Sequence, residues 1–145
     1  MPATRTQARD EIFAVVKTAV ESISSGIRPE VIWQDVIADR PTPDVSTPGT
    51  KNWLKVDLFH TDSEQAHIGS RVQSRRGELA MNLFTPVNDG LVNADSIVRT
   101  LEGAFVKRQT ANGVWFRAPR SVELGTTGVY YQCSVTVDFT YLEVL

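Results

Sequence analysis

The chain has 145 residues, 41% of them hydrophobic and 22% charged, with 15 Lys and Arg against 17 Asp and Glu for a formal net charge of −2. That is an ordinary globular composition, and a single core at this length buries about 68–70% of the unfolded chain's surface. The same figures exclude several classes: no apolar run approaches the roughly 18 residues of a membrane-spanning helix, and Cys133, the one cysteine, has no internal disulfide partner. The near balance of charge argues against nucleic-acid binding as the main task.

Residues 1–145 read as one domain. The opening run Met1-Pro2-Ala3-Thr4-Arg5 has no leader-like apolar segment, because Asp10 and Glu11 follow at once. A helix is expected from about Arg5 to Ile23, with Ile12, Val16, Ala19, Val20 and Ile23 on one face. Thr4 and Gln7 fit a capping box, and Gly26 and Pro29 end the helix. Val31-Ile32-Trp33 reads as a short strand. The segment 39–50 then holds three prolines and a glycine, which no helix or central strand sustains. It reads as a long loop, either a plain connector or a partner contact, with Pro43, Asp44 and Pro48 as the contact candidates.

Asn52 to His60 alternates through Leu54, Val56 and Leu58, and Glu78 to Thr85 does so through Leu79, Met81 and Leu83. Both predict half-buried antiparallel strands. The polar stretch from Thr61 to Gly77 reads as a long hairpin arm or loop. Asn88-Asp89-Gly90 turns the chain into a second helix, about Val92 to Lys107, whose apolar face holds Ala94, Ile97, Val98, Leu101, Ala104 and Phe105. Val114-Trp115-Phe116-Arg117 predicts a short strand bounded by Pro119. The last element is the clearest. Val129, Tyr131, Cys133, Val135, Val137, Phe139 and Tyr141 alternate with polar residues, and thirteen such residues span roughly 44 Å. The expected class is therefore α+β: an antiparallel-dominated sheet with two helices on one face, in the order helix-strand-strand-strand-helix-strand-strand.

The residues offer little catalytic chemistry. His60 beside Asp62 and Glu64 invites a metal-site reading, but nothing in a polar connector fixes three ligands around one ion, so no metal is expected. No nucleophile elbow or phosphate-cradling glycine loop is present, and Cys133 sits on an apolar strand face as a small hydrophobe. No catalytic residue and no cofactor are expected. Arg71, Arg75 and Arg76 cluster in a stretch free of acidic residues, from Gly69 to Gly77. They read either as a solvated polar hairpin or as a contact for nucleic acid or an acidic partner surface. Phe59, Trp53, Trp115 and Tyr130 fall opposite the apolar stripes, as interface anchors, as parts of a second covering layer, or because a strand's phase is shifted.

The run Arg76-Gly77-Glu78-Leu79-Ala80-Met81-Asn82-Leu83-Phe84-Thr85-Pro86 resembles the central strand of bacteriophage tail-terminator-like proteins. The likeness continues through Gly90, the helix Ala94 to Phe105, the segment Gly113-Val114-Trp115-Phe116-Arg117-Ala118-Pro119, and Tyr130-Tyr131-Gln132 at the entry to the last strand. The order of these pieces carries it across residues 76–141, with a looser fit before them. The resemblance implies a structural virion protein, not an enzyme. It implies a homo-oligomeric ring, commonly a hexamer, on the head-proximal end of the tail tube. One face of that ring meets the major tail tube protein; the other stops polymerisation and docks the head's connector or completion protein, while DNA passes through the lumen without specific binding. Assembly takes place in the bacterial cytoplasm, without a membrane. The loop at 39–50 and the arm at 61–77 are the expected axial contacts. Other classes stay open at this point: a head-closure or minor tail protein, a small DNA-binding accessory protein using the arginines, and a ligand-binding module.

Overall fold

A computed structural model describes residues 3–34, 52–66, 68, 69, 71–87, 91–106 and 108–145, apart from the Thr127 side chain. The loop candidates Pro43, Asp44 and Pro48 lie outside the described residues, as do Asn88-Asp89-Gly90 and Lys107. Helix α1 (Arg5–Glu21) leads into strand β1 (Glu30–Trp33). Strands β2 (Trp53–Gln65) and β3 (Val72–Pro86) precede helix α2 (Val92–Ala104), and β4 (Trp115–Thr127) and β5 (Tyr130–Val144) complete the chain. The element order and the α+β class are as expected.

The capping box at the start of α1 is present: the Gln7 amide N–H donates to Thr4 Oγ1, and the Thr4 N–H donates to the Gln7 side chain. The helix ends two residues earlier than its apolar stripe, and Ile23 still packs in the core from the turn beyond. Arg28 supplies the reason. Its guanidinium donates to the carbonyls of Glu21 and Ile23, satisfying acceptors that a helix end leaves orphaned. Helix α2 likewise stops at Ala104, and Phe105 seals it against β4 through an edge-to-face contact with Phe116 at 4.8 Å.

The five strands form one sheet in the order β1-β2-β3-β5-β4. Among the described residues only the short β1 pairs in parallel; every other ladder is antiparallel. The long strand β5 lies between β3 and β4, so the two 15-residue strands β3 and β5 run side by side from Val72↔Val144 to Pro86↔Tyr130. Alternation puts Leu54, Val56, Leu58, Leu79, Met81, Leu83, Val135, Val137, Phe139 and Tyr141 on one face. There they join Ile12, Val16, Ala19 and Val20 of α1 with Ala94, Ile97 and Leu101 of α2 in a single buried cluster. Both helices thus cover the same face.

One strand expectation is corrected. The strand at Val114–Arg117 does not stop at Pro119 but continues to Thr127. Proline is tolerated because β4 is an edge strand and the ladder is bulged there: pairing jumps between Arg117 and Arg120, and Ala118 takes φ 50°. Of the two readings of the polar stretch after His60, hairpin arm or loop, the structure has the arm, and the strands run past the ends expected at His60 and Glu78. The stretch is paired strand, with β2 reaching Gln65 and β3 starting at Val72, and the lower part of β3 pairs with β5 as well. It is an arm of the sheet and not a free projection.

Candidate functional site: the open sheet face and the arginine arm

A bulge sets the geometry of the arm. The β2–β3 register shifts between His60 and Asp62. In an uninterrupted strand these two side chains would share a face; with one extra residue they part. His60 stays on the helix side, where its Nε2 lies 2.7 Å from the Tyr141 hydroxyl and its ring meets Phe139 edge-on at 5.4 Å. Burial first, then Arg5, Arg9 and Arg75, push its pKa down to about 4, so the imidazole is neutral at pH 7. Asp62 pairs in register with Arg76 on the opposite face. The metal-site grouping of His60 with Asp62 and Glu64 is therefore not brought together, and no group of three potential ligands forms among the described residues.

The same alternation separates the arginines. Arg75 points to the helix side, with its side chain only 15% exposed. Its guanidinium forms a 2.9 Å ion pair with Glu143, and Nε donates to the same carboxylate at 3.0 Å. Glu143 in turn accepts the backbone N–H of Arg5 at the start of α1. Arg75 is thus a tie between β3, β5 and α1, where negative charge suits the helix N-terminus. Arg76 faces away, 47% exposed, with Glu64 at a loose 3.9 Å. Arg71 is exposed at the start of the arm, and its carbonyl accepts the Leu145 N–H. The sequence signal that separates Arg75 from Arg76 is register alone, and the polar arm displays none.

Among the described residues no second layer covers the opposite face of the sheet. In register across the sheet, Asp57, Ala80, Thr136 and Arg120 form one row. Phe59, Glu78, Asp138 and Arg117 form the next. Asp62, Arg76, Thr140 and Trp115 form a third. The middle of this face holds small and polar side chains such as Asn82, Ser134 and Thr136. Two of the four aromatics expected off the apolar stripes are open to solvent, Phe59 at 51% and Trp115 at 57%. Trp53 is half-buried, and Tyr130 is buried against Phe84 with ring centroids 6.4 Å apart. A cleft of about 440 Å³ opens beside Trp115, lined also by Ser74, Thr140 and Leu142. Asn112 also lines it, and Glu11 of α1 holds that residue: its carboxylate accepts hydrogen bonds from Thr110 Oγ1 and from the backbone and side-chain amides of Asn112.

Among the described residues, buried polar chemistry does not converge on any nucleophile. Cys133 is buried and its thiol is pushed above the ordinary range by desolvation, then by Glu123, Glu102 and Asp95. A thiol so held stays protonated and packs as a hydrophobe.

With the fold and this face described, the comparisons with known proteins decide the family. Residues 11–139 match the family described as "Phage tail terminator protein". The chain belongs to that family. It is accordingly a structural protein of a phage tail, a component of the virion. No curated protein matches the tail terminator chain. A solved structure is similar in fold: 19% identity, TM-score 0.61, with 92% of this chain and 94% of the other covered. At that identity the likeness speaks to the fold alone. No helix among the described residues is long and apolar enough to cross a membrane.

Proposed function

We propose that this tail terminator closes into a ring, commonly a hexamer, on the head-proximal end of the completed tail tube. One face of the ring matches the last ring of tube protein. The other refuses a further tube ring and so stops polymerisation, and it presents the docking surface for the head's connector protein. The observation that carries this reading is the family match across residues 11–139. The open sheet face supports it physically: small polar side chains and few unpaired bases make a wall that a polyanion can pass without being gripped, because tight phosphate contacts need clustered Lys and Arg. A ring of identical subunits uses two different patches per subunit. Axial growth stops when one ring face lacks complementarity to tube protein.

Arg71 and Arg76, together with Pro43, Asp44 and Pro48, remain the proposed axial contacts. Arg75 is now assigned a structural tie. The test is tube assembly: the cognate tube protein polymerised with and without this chain, with lengths and ends measured by negative-stain microscopy. Tubes of limited length with a capped end are expected when the chain is present. Equal lengths and bare ends in both reactions would sink the reading. In solution, light scattering should find a closed species near a hexamer of the 16.1 kDa chain at high concentration.

A further inference from the structure

The open face of the sheet is electrically lopsided. On its β2 margin, from Asp57 to Gln65, the outward side chains include Asp57, Asp62 and Glu64 and no base, while Lys55, the one outward base of β2, lies before it where β1 pairs alongside. Among the described residues β1 pairs with β2 only from Trp53 to Val56, so this stretch forms the sheet's margin there. On the β4 margin the outward charges are Arg117 and Arg120. Arg120 leans back toward Asp138 at 3.4 Å and Glu78 at 3.9 Å. No carboxylate among the described residues pairs with Arg117, and no base among them pairs with Asp57. Each margin also carries one large exposed aromatic: Phe59 on the acidic side, Trp115 on the basic side.

We propose that these margins are the two halves of a contact between copies of this chain, the basic Trp115–Arg117–Arg120 margin of one copy meeting the acidic Asp57–Phe59–Asp62 margin of the next. This rests on the ring reading and supplies its lateral interface. Three features favour a second copy over any other occupant. The opposed charges are complementary to each other within one sequence, so no foreign partner is needed to neutralise them. The two patches differ and lie on opposite edges of one face, which is what head-to-tail closure requires. Each patch pairs an exposed aromatic with charge, so that Arg117 meets Phe59 as cation over ring and Trp115 supplies buried area, the residue types that dominate interface energetics. Among the described residues, Arg117 and Asp57 give up no internal ion pair to make the contact.

The test uses two charge reversals on the full chain, Arg117→Glu and Asp57→Lys, with sedimentation velocity from micromolar to millimolar. Neither side chain holds the fold, so both variants are expected to melt like the wild type. Each alone places like charges across the contact and should weaken self-association by about tenfold or more. Mixed in equal amounts they should associate again, because each reversed margin now faces a complementary one in the other variant. Trp115→Ser, unaltered in charge, should weaken association without rescue by either variant. The inference is overturned if the wild type stays monomeric at millimolar concentration, if the reversed variants associate like the wild type, or if the mixture recovers nothing. Those results would leave the capping reading to the tube-length assay. Conversely, tubes indifferent to the chain would end the capping reading, while charge-swap rescue would still establish the contact.

Discussion

Gly77 is a position where a single methyl group should be costly. It sits on β3 beside the bulge, paired with His60 on one side and Phe139 on the other. A Cβ there would collide with the Phe59 carbonyl oxygen and with Cζ of the Phe139 ring, and would lie 2.8 Å from Cε1 of that ring. Neither neighbour can yield easily. The carbonyl belongs to the ladder, and the ring is 1% exposed, stacked on Tyr141 at 6.2 Å and flanked by His60. Overpacking of a dense core costs about 1–3 kcal/mol, and displacing ladder backbone takes Gly77→Ala to the upper end or slightly past it, about 3–4 kcal/mol. At this chain length that corresponds to a melting-point drop of about 10–13 °C. Urea and thermal unfolding followed by circular dichroism measure it. Phe139→Leu in the Gly77→Ala background removes the ring contacts but not the carbonyl contact. The double variant should therefore be more stable than additivity predicts, by about 1 kcal/mol. An alanine variant within about 1 kcal/mol of the wild type, or a strictly additive cycle, would refute the close-approach argument.

The other expectations concern the arm and the core. Arg75→Met strands Glu143 in a poorly solvated site and should cost about 2–4 kcal/mol, whereas Arg76→Met should change stability by less than about 0.5 kcal/mol; chemical denaturation of the two separates a tie from a surface charge. His60 has a pKa of about 4 in the folded chain against 6.5 unfolded, so below pH 6.5 the unfolded state binds more protons. Stability should accordingly be intact above pH 6.5 and fall toward pH 4, by about 1–2 kcal/mol once solvent access to the ring is discounted. His60→Gln, which keeps a polar group near the Tyr141 hydroxyl without titrating, should flatten that part of the profile; an unchanged slope would assign it to other groups. Phe105→Ala empties the junction of α2 with β4 and should cost about 3–5 kcal/mol by denaturant midpoint.

Much of this protein follows from local pattern. The capping box at Thr4, the element order, the helical stripes and the alternation from Cys133 to Tyr141 each depend on residues within a few positions of one another, and each reports which side of an element meets the core. The sequence by itself therefore determined the class, the layer arrangement and most of the buried set, and the order of its pieces pointed to the family. The tertiary structure decided what depends on neighbours far along the chain. Pro119 marked a strand end in the local reading, yet β4 runs past it because it is an edge strand with a bulge to absorb the missing donor. His60 and Asp62 were grouped by spacing, yet one inserted residue turns them to opposite faces. Arg75 and Arg76 were equivalent as charges in a polar run, until pairing with β5 turned Arg75 onto Glu143 and left Arg76 outside. The same pairing sends acidic residues of β2 and basic residues of β4 to opposite margins of one face. Local periodicity encodes the side on which a residue lies, but not which strand lies beside it, because strand order and bulges are set by long-range pairing.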